Sequence, residues 1–418
     1  MNAGSGAGET GRIDAEILIV GGGMAGMTLA SALAGAGVAV AVVDRERPAA
    51  TVSHGYDGRA SAIAHASAQA LKGIGLWPLL APHASPIVDI RVADGHPMRG
   101  ISPLFLHYDH REVGDEPFGY IIENRQIRTA LHAFAAGLPK LTLLAPATVR
   151  ALTRDPYRVE AQLADGRIVG ARLAVAADGR FSQTRRDAGI AETSLRYRQA
   201  AIVCTVAHER AHNGVAVELF LPGGPFAMLP MTENRSNVVW SERADLVPGY
   251  LALDDAAFLD ELQRRFGDWL GAIALTGPRF SYPLGVLLAE RYTAPRLALI
   301  GDAAHAIHPI AGQGLNLGLR DVAALAELIV DSHRLGLDPS GPQVLERYGR
   351  WRRFDNMLLT VVTDGLNRLF SNDIGPVRLA RDVGLAAVNR LPPVKRFLMR
   401  HAMGVVGDLP RLVRGEAL

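Results

Sequence analysis

Cysteine is nearly absent from this sequence, with a single residue, Cys204, in 418. One thiol forms no intramolecular disulfide and supplies no cysteine-ligated metal or iron–sulfur site. No other metal-ligand spacing and no Ser-His-Asp arrangement stands out, so we expect no metal site. The first eleven residues lack the basic and apolar segments of a signal peptide. These absences favour a cytoplasmic protein.

Excess charge of one sign is also lacking, since the net charge is +2 at pH 7, which argues against a nucleic-acid-binding protein. The charge is uneven, however, because residues 376–418 contain eight Lys or Arg and three acidic residues. A basic C-terminus favours an anionic partner, and its mixed basic and apolar stretch at 392–403 suits a membrane surface. A helix packed on the protein body with an exposed basic face explains the same stretch equally well.

The longest uncharged stretch, residues 17–43, predicts a nucleotide-binding unit. It is long enough to span a bilayer, but it is β-rich at both ends and contains a glycine-rich turn after the first. Strand, glycine turn, helix, strand and acid follow in the order of a dinucleotide-binding βαβ unit. In that unit Gly21 forms the turn and Gly23 admits a diphosphate. Gly26 lets helix and strand touch, and Asp44 can hold ribose hydroxyls.

A second motif lies at residues 297–321. The apolar run at its start predicts a buried strand, which ends just before Asp302, at the strand end where open α/β sheets bind ligands. Apolar residues then recur at helical spacing, so we expect a helix to begin near Gln313, which has a glycine on each side. Bare amides at that helix start favour an anionic or flat ligand. A plain strand–loop–helix connection is the alternative.

The stretch 173–185 repeats this pattern, with an apolar strand that ends at Asp178 and Gly179. Asp178 either faces the ligand or merely caps the following turn. Arg59, just beyond the βαβ unit, fits a ligand contact and an ordinary surface position equally well.

A change of pattern after residue 195 predicts a sheet-rich lobe. We expect irregular strands or loops at 78–119. Antiparallel strands are expected at 198–207, 215–221, 226–231 and 236–243, and helices at 254–270, 342–371 and 376–404. The predicted fold class is α/β. Its parts are a discontinuous Rossmann-like domain (12–78, 115–190 and 282–340), an inserted antiparallel-sheet substrate domain (79–114 and 191–281) and a C-terminal helical region (341–418).

Three motifs in this order resemble those of the single-component FAD-dependent aromatic hydroxylases. They are the glycine turn at 21–26, the Asp-Gly motif at 178–185 and Gly301-Asp302 followed by Pro309. Within that class, residues 308–321 resemble the signature of the ubiquinone-biosynthesis hydroxylases, and the similarity covers nearly the whole chain.

This resemblance implies a set of FAD-binding residues. Asp44 and Asp302 would hold ribose and ribitol, with Arg59 and Asn124 near the diphosphate and ribitol. Amides at 312–316 would face the flavin pyrimidine edge, and Pro309 would line the face where oxygen adds. The full set is Gly21, Gly23, Gly26, Asp44, Arg59, Asn124, Asp178, Gly179, Asp302, Pro309, Gly312, Gln313, Gly314, Leu315 and Asn316.

The implied reaction is hydroxylation of a polyprenylated phenol in ubiquinone biosynthesis, with NAD(P)H and O2, through a flavin hydroperoxide. No side chain need act as a nucleophile, so no catalytic residue is named, and His305 and His308 are expected to be structural. A hydroxylase of a small soluble phenol and a non-catalytic flavin-binding subunit of a quinone-biosynthesis complex remain alternatives. Peripheral attachment to the inner membrane is left open beside the cytoplasm.

Overall fold

The computed structural model describes residues 11–48, 58–307, 312–370 and 375–418. Its α-helices are, in chain order, α1 (Met24–Gly35), α2 (His65–Ile74), α3 (Trp77–Leu80), α4 (Asn124–Ala136), α5 (Gln183–Asp187), α6 (Val247–Ala252), α7 (Asp255–Phe266), α8 (Gln313–Arg334), α9 (Pro342–Phe370), α10 (Gly375–Asn389) and α11 (Pro392–Met403). Among the described residues, no helix combines the length and the apolar character needed to cross a bilayer.

A six-stranded, largely parallel sheet forms the nucleotide-binding half. With strands numbered β1 to β22 along the chain, its order is β20 (Thr293–Ala294), β21 (Leu297–Leu299), β13 (Leu173–Ala176), β2 (Ile17–Val20), β3 (Val40–Val43) and β9 (Leu141–Leu144). All but β20 run parallel. Their carboxyl ends therefore meet at one edge, where ligands bind in such sheets.

Both faces of this sheet are covered, which explains why its strands are continuously apolar. Ile17 and Ile19 pack in a core with α1 and α8. Leu18 and Val20 point the other way. They pack on a four-stranded sheet in the order β1 (Arg12–Asp14), β12 (Ile168–Ala171), β11 (Val159–Leu163) and β10 (Val149–Arg154).

A nine-stranded sheet forms the second half. Its order is β22 (His305–Ala306), β19 (Phe280–Ala289), β14 (Glu192–His208), β17 (Arg235–Arg243), β16 (Gly224–Met231), β15 (Val215–Leu221), β6 (Asp89–His96) and β7 (Gly100–Asp109), with β18 (Ile273–Leu275) beside β14. It contains the four predicted antiparallel strands, and the predicted helix at 254–270 is the shorter α7.

The prediction of irregular strands or loops at 78–119 was correct in part. The segment contains β6 and β7, strands of 8 and 10 residues, and the register of their pairing shifts between Ala93 and Gly95. Strand β6 pairs in parallel with β15, more than a hundred residues further along the chain, and such long-range pairing leaves no local signal. Strands β6 and β7 share a sheet with the strands of 191–281. This shared sheet supports our proposal that 79–114 and 191–281 form one substrate domain.

A small sheet joins the two halves and the C-terminal helices. Its order is β4 (Ala60–Ala64), β8 (Gly119–Glu123) and β5 (Ser85–Ile87). Ala60 and Ala62 of β4 pack in one apolar cluster with Ala216 of the large sheet and with Met399 and Met403 of α11. The α/β fold class, with a largely parallel sheet, a largely antiparallel sheet and C-terminal helices, is confirmed.

Candidate functional site

The glycine turn after β2 is built to let backbone approach backbone. Gly21 has φ +108°, and a Cβ there would lie 2.3 Å from the carbonyl oxygen of Ala177 at the end of β13. A Cβ on Gly26 would lie 2.0 Å from the carbonyl oxygen of Gly21. A Cβ on Gly23, by contrast, would meet nothing within 4 Å. Two glycines are therefore required for the fold, whereas the third leaves open space at the start of α1.

Helix α1 presents its first amides without competition from its own side chains. Gly23 is its N-cap, no side chain caps it, and its first turn contains no acidic residue. Such a terminus carries partial positive charge and favours an anion. Asp44, just after β3, accepts a hydrogen bond from the Gly22 amide and one of 2.7 Å from the Glu46 amide. Asp44 is partly exposed beside the turn.

A cleft of about 570 Å³ opens at this edge of the sheet. Of the predicted residues, its lining includes Gly21, Gly23, Asp44, Arg59, Asp178 and Gly179. It also contains cationic and polar side chains that the sequence analysis missed, namely Arg45, Arg128, His132, Thr148 and Arg150. Arg128 and His132 stand four residues apart on α4, so their shared helix face was a readable signal.

His132 contributes a neutral ring to this cleft. Burial lowers the pKa of His132, and the Asp44 carboxylate opposes that change only in part. The positive charges in the cleft lining at neutral pH are therefore those of its arginines, and the lining contains carboxylates beside them.

The structure places Asp178 in the cleft lining and also gives it a capping role. Its carboxylate accepts hydrogen bonds from the Ser182 hydroxyl, from the Thr184 amide at 3.1 Å and from the Thr184 hydroxyl at 2.9 Å. The hydrogen bonds of Asp178 are thus those of the second alternative, a cap on the turn that follows it. Gly179 has φ +82° and open space where a Cβ would stand, so it leaves the rim of the cleft unobstructed.

Asp302 follows β21 in a short 3₁₀ turn and is exposed. The preceding Gly301 has φ +56°, and a Cβ on it would lie 3.3 Å from the Ala25 side chain of α1. The turn therefore sits directly against the helix that follows the glycine turn. Two predicted structural or cofactor residues in the next segment, His308 and Pro309, lie outside the described residues.

Helix α8 begins as the sequence predicts, at Gln313. Its N-cap, Gly312, has φ +62°, and a Cβ there would lie 2.8 Å from the Ala62 side chain. No side chain caps the helix and no acid lies in its first turn. Gly314 has open space around it, and Gln313 and Leu315 are half-buried. The amides at this terminus are therefore available to an electron-rich group.

Asn124 and Asn316 both hold strand β4. The Asn316 amide group donates a 2.8 Å hydrogen bond to the Ala62 carbonyl and accepts one of 2.9 Å from the Ala64 amide. Asn124 accepts a 2.6 Å hydrogen bond from the Ser61 hydroxyl. Both side chains are buried, so their described contacts fix the positions of α8 and α4 against β4. Arg59, at the edge of β4, stacks on Tyr282 with its guanidinium 5.2 Å from the ring centroid.

A buried ionic network lies behind the Asp302 turn. The Asp321 carboxylate of α8 accepts hydrogen bonds from the Gly301 amide at 3.0 Å, from His305 at 2.5 Å and from the Arg352 guanidinium of α9 at 2.8 Å. Burial opposes ionisation of Asp321, but His305 and Arg352 outweigh it and lower its pKa to about 2. Asp321 thus holds the turn that carries Asp302. The hydrogen bond between His305 and Asp321 supports the predicted structural role of His305.

The network extends further along the helices. Arg352 also donates to Asp355 at 2.7 Å, and Asp355 accepts a 2.9 Å bond from Arg320. Arg320 in turn donates a 2.7 Å bond to the carbonyl of Gly404, which follows α11. Within the described part of the chain, no group of three or more His, Cys, Asp or Glu side chains could hold a metal ion.

Comparison with known sequences places this site in a family. Residues 14–353 match the family described as "FAD binding domain". The ubiquinone hydroxylase UbiL of Rhodospirillum rubrum is 56% identical over 407 residues, which span 97% of this chain and 94% of that protein. The 3-demethoxyubiquinol 3-hydroxylase of Escherichia coli is 34% identical over 93% of this chain and 98% of its own length.

Solved structures show the same fold. The p-nitrophenol 4-monooxygenase PnpA of Pseudomonas putida superposes with a TM-score of 0.77 at 20% identity, covering 95% of this chain and 99% of that one. PqsL of Pseudomonas aeruginosa, in complex with 2-aminobenzoylacetate, gives a TM-score of 0.76 at 24% identity and covers 89% and 99%. At these identities the likeness concerns the fold alone.

Proposed function

Because the chain belongs to the FAD-dependent ubiquinone-biosynthesis hydroxylases, we propose that it hydroxylates the aromatic ring of a polyprenylated phenol, with NAD(P)H as reductant and O2 as oxidant. The observation that carries this proposal is the 56% identity with the ubiquinone hydroxylase UbiL over 97% of this chain. The family resemblance drawn from the motifs is thereby confirmed. The substrate and the electron donor are the parts we propose.

The residues at the cleft fit FAD. The open space at Gly23 and the uncapped start of α1 suit a diphosphate, which such a terminus stabilises by roughly 1 kcal/mol. Asp44 lies beside the turn where ribose hydroxyls would be held. When bound, FAD supplies the redox and oxygen-transfer chemistry. The chain's own part is to hold it between α1 and the start of α8, where bare amides stabilise negative charge on the ring.

We assign Asp302 to the ribitol chain, because it is exposed on a turn fixed from behind by Asp321. Replacement of Asp302 by alanine should yield protein that is purified largely without FAD, measured by flavin absorbance per chain. The matched control is Asp260→Ala, which removes an exposed carboxylate from α7. A yellow, fully active Asp302→Ala protein would disprove this assignment.

The substrate proposal is tested in a bacterial host that lacks its ubiquinone hydroxylases. Lipid extracts with and without this gene are compared by mass spectrometry for prenylphenols and ubiquinone. We expect an accumulated intermediate to disappear and ubiquinone to return. If the lipids do not change while the purified protein carries FAD, a small soluble phenol becomes the substrate to seek. FAD without any substrate-stimulated NAD(P)H oxidation points instead to a non-catalytic subunit of a biosynthetic complex.

We further propose that the protein meets the membrane through an outer face of α10 and α11. This outer face consists of exposed apolar residues on the two helices and at Leu391 between them, namely Val383, Ala387, Leu391, Val394, Phe397 and Leu398. Phe397 is 57% exposed, an unusual position for a large apolar side chain. Three exposed arginines flank it, Arg390, Arg396 and Arg400, each worth roughly 1 kcal/mol near an anionic bilayer.

Not all of the basic C-terminus belongs to this outer face. Lys395 is buried and donates a 2.5 Å hydrogen bond to Glu112, and Arg381 is buried in a 2.6 Å pair with Asp94. Deleting residues 376–418 would therefore expose the core around Met399 as well as remove the outer face. Substitutions on the outer face are the cleaner test.

Vesicle flotation of the variant Phe397→Asp/Leu398→Asp tests the membrane proposal. We expect the double variant to bind vesicles containing anionic phosphatidylglycerol at least tenfold more weakly than the natural sequence, while its FAD content is unchanged. Leu335→Asp is the control, since Leu335 is 72% exposed on another part of the surface. Equal vesicle binding by the double variant would contradict the membrane proposal. The outer face would then have another role, such as contact with a protein of a quinone-biosynthesis complex.

A further inference from the structure

A small cavity lies at the β7 edge of the large sheet, between the β6–β7 hairpin and α10. Its volume is about 200 Å³, several times the roughly 30 Å³ that one water molecule occupies in the liquid. Four of its lining residues, Arg99, Gly100, Ile101 and Pro103, are exposed, so its mouth is at the protein surface. The cavity is separate from the cleft at the glycine turn, since the two share no lining residue.

Two contacts hold α10 along the hairpin beside this cavity. The Arg381 guanidinium donates a 2.6 Å hydrogen bond to the Asp94 carboxylate of β6, and both residues are buried. Asn389, at the C-terminal end of α10, accepts a 3.2 Å hydrogen bond from the His107 amide of β7. The hairpin and the helix that line the cavity are therefore tied to each other.

The cavity contains a carboxylate oxygen that lacks a partner. Asp94 and Asp382 both line it, and Arg381 pairs with Asp94. The Oδ1 atom of Asp382 is removed from solvent and has no hydrogen-bond partner in the part of the chain that the structure describes. Burial raises the pKa of Asp94, Arg381 opposes that change, and the Asp382 charge adds to it, so the two carboxylates repel each other. Since buried polar atoms nearly always have a partner, Asp382 calls for a donor.

The donor that fits this oxygen is a cation with N–H bonds. A charged donor forms the strongest hydrogen bonds to a carboxylate, and its charge offsets the repulsion between Asp382 and Asp94. A metal ion fits poorly, because no group of three His, Cys, Asp or Glu side chains among the described residues could hold one. A primary ammonium group satisfies both conditions, and the cavity has room for the short chain that carries it.

The surface around the mouth indicates that this ammonium group belongs to a lipid. Apolar side chains are exposed on both sides of the cavity, namely Met98, Ile101 and Phe105 on the hairpin and Val383 on α10. Val383 directly follows Asp382 and belongs to the outer face, so the cavity borders the surface that we propose to meet the membrane. Arg99 lines the mouth, where it suits the phosphate that follows the ammonium in a lipid headgroup.

We propose that this cavity binds the headgroup of phosphatidylethanolamine, with the Asp382 carboxylate as the acceptor for its primary ammonium. This inference rests on the proposed contact between the outer face and a bilayer, which it extends to one class of lipid. Phosphatidylcholine provides the contrast, because its ammonium is quaternary and has no N–H bond to donate. A specific headgroup would orient the protein on the bilayer, in addition to the general attraction of the flanking arginines to anionic lipid.

Vesicle flotation tests this proposal with two kinds of vesicle that contain the same fraction of phosphatidylglycerol. One is completed with phosphatidylethanolamine and the other with phosphatidylcholine. The natural protein should bind the first about tenfold more tightly, the size of effect expected for one charge-assisted hydrogen bond. Asp382→Asn keeps the size of the side chain but removes its charge, so this variant should bind both kinds equally. The ratio of the two affinities is the readout, because loss of a negative charge strengthens binding to any anionic vesicle.

Asp260→Asn, which removes an exposed carboxylate from α7, is the matched control and should keep the natural ratio. FAD content and urea unfolding verify that Asp382→Asn is folded. A calorimetric titration with soluble glycerophosphoethanolamine tests the cavity without a bilayer. It should detect binding to the natural protein and none to Asp382→Asn, and glycerophosphocholine should bind to neither.

Equal binding of the natural protein to both kinds of vesicle, or an Asp382→Asn variant that keeps the preference, overturns the headgroup site. Absence of binding to every vesicle overturns the membrane proposal instead, and in that case the titration decides the cavity alone. No binding of glycerophosphoethanolamine, or equal binding by Asp382→Asn, then removes the headgroup site as well. The two failures are therefore distinguishable.

Discussion

Two acids inside this protein have opposite environments. Asp321 is completely buried and accepts hydrogen bonds from a histidine, an arginine and a backbone amide, which lower its pKa to about 2 despite burial. Glu218 is partly buried between Ala227 and Val92, makes no hydrogen bond or ion pair with the described residues, and loss of hydration raises its pKa to about 7. The first acid is always charged, whereas the second changes its charge near neutral pH.

The contrast shows what partners do for an acid that is removed from water. A buried charge that is fully paired orders the groups around it, and Asp321 orders the turn that carries Asp302. An acid that loses hydration without gaining a partner costs free energy of folding when it is charged. Burial and partners together, rather than burial alone, therefore set the charge of an acid.

The largest effect should come from breaking the structural acid. Asp321→Asn removes the negative charge that Arg352 faces and should lower the free energy of unfolding by about 3–5 kcal/mol, because a buried cation is left uncompensated. Urea unfolding at pH 7 measures this loss. The exposed Asp260→Asn should change stability by less than about 0.5 kcal/mol. A similar small change for Asp321→Asn would show that the network contributes little.

A smaller effect is expected in how the free energy of unfolding of Glu218→Leu changes, relative to that of the natural protein, as pH rises. The folded protein holds the Glu218 proton up to a pKa of about 7, above the ordinary value of 4.5, so the natural protein loses stability between those pH values. The leucine variant has no such loss and should gain about 3 kcal/mol relative to the natural protein from pH 4.5 to pH 8. Unfolding curves at several pH values measure this gap. A gap independent of pH would show that Glu218 titrates normally.

The smallest of the three effects is the loss of folding stability from Asp321 at acidic pH. The pKa of Asp321 is depressed from 3.8 to about 2, so the stability it provides is present above pH 4 and falls as pH drops toward 2. The natural protein should lose about 2 kcal/mol from this group over that interval. The difference in free energy of unfolding between the natural protein and Asp321→Asn should become smaller by the same amount. A constant difference down to pH 2.5 contradicts the assignment.

The nucleotide-binding half was largely predictable from sequence because its signals are local. Gly21, Gly26 and Asp44 lie within a few residues of the strands and helix they serve, and their spacing encodes contacts of the backbone itself. The start of α8 was predictable for the same reason. Gly312 needs both a positive φ and the absence of a Cβ, and few residues satisfy those requirements.

The features that could not be predicted from sequence depend on contacts between segments that are far apart in the chain. Glu218 alternates with valine and leucine as a solvent-facing residue would, but its neighbour on the same face, Ala216, packs in an apolar cluster with β4 and α11. Lys395 lies in the basic stretch 392–403 that the sequence analysis assigned to a surface, but it is buried and paired with Glu112, 283 positions earlier. Neither outcome can be read from hydrophobic periodicity, which reports that a face is polar without reporting what covers it.

The buried network also has a thermodynamic consequence. Its hydrogen bonds run without interruption from the turn of Asp302 to the end of α11, through Gly301, Asp321, Arg352, Asp355, Arg320 and Gly404. Cofactor and bilayer would thus act on two ends of one connected structure. Coupling between two binding sites is reciprocal, so whatever factor FAD adds to the affinity for a bilayer, the bilayer must add to the affinity for FAD. If FAD strengthens binding to a bilayer, the protein must hold its flavin more tightly at the bilayer than away from it.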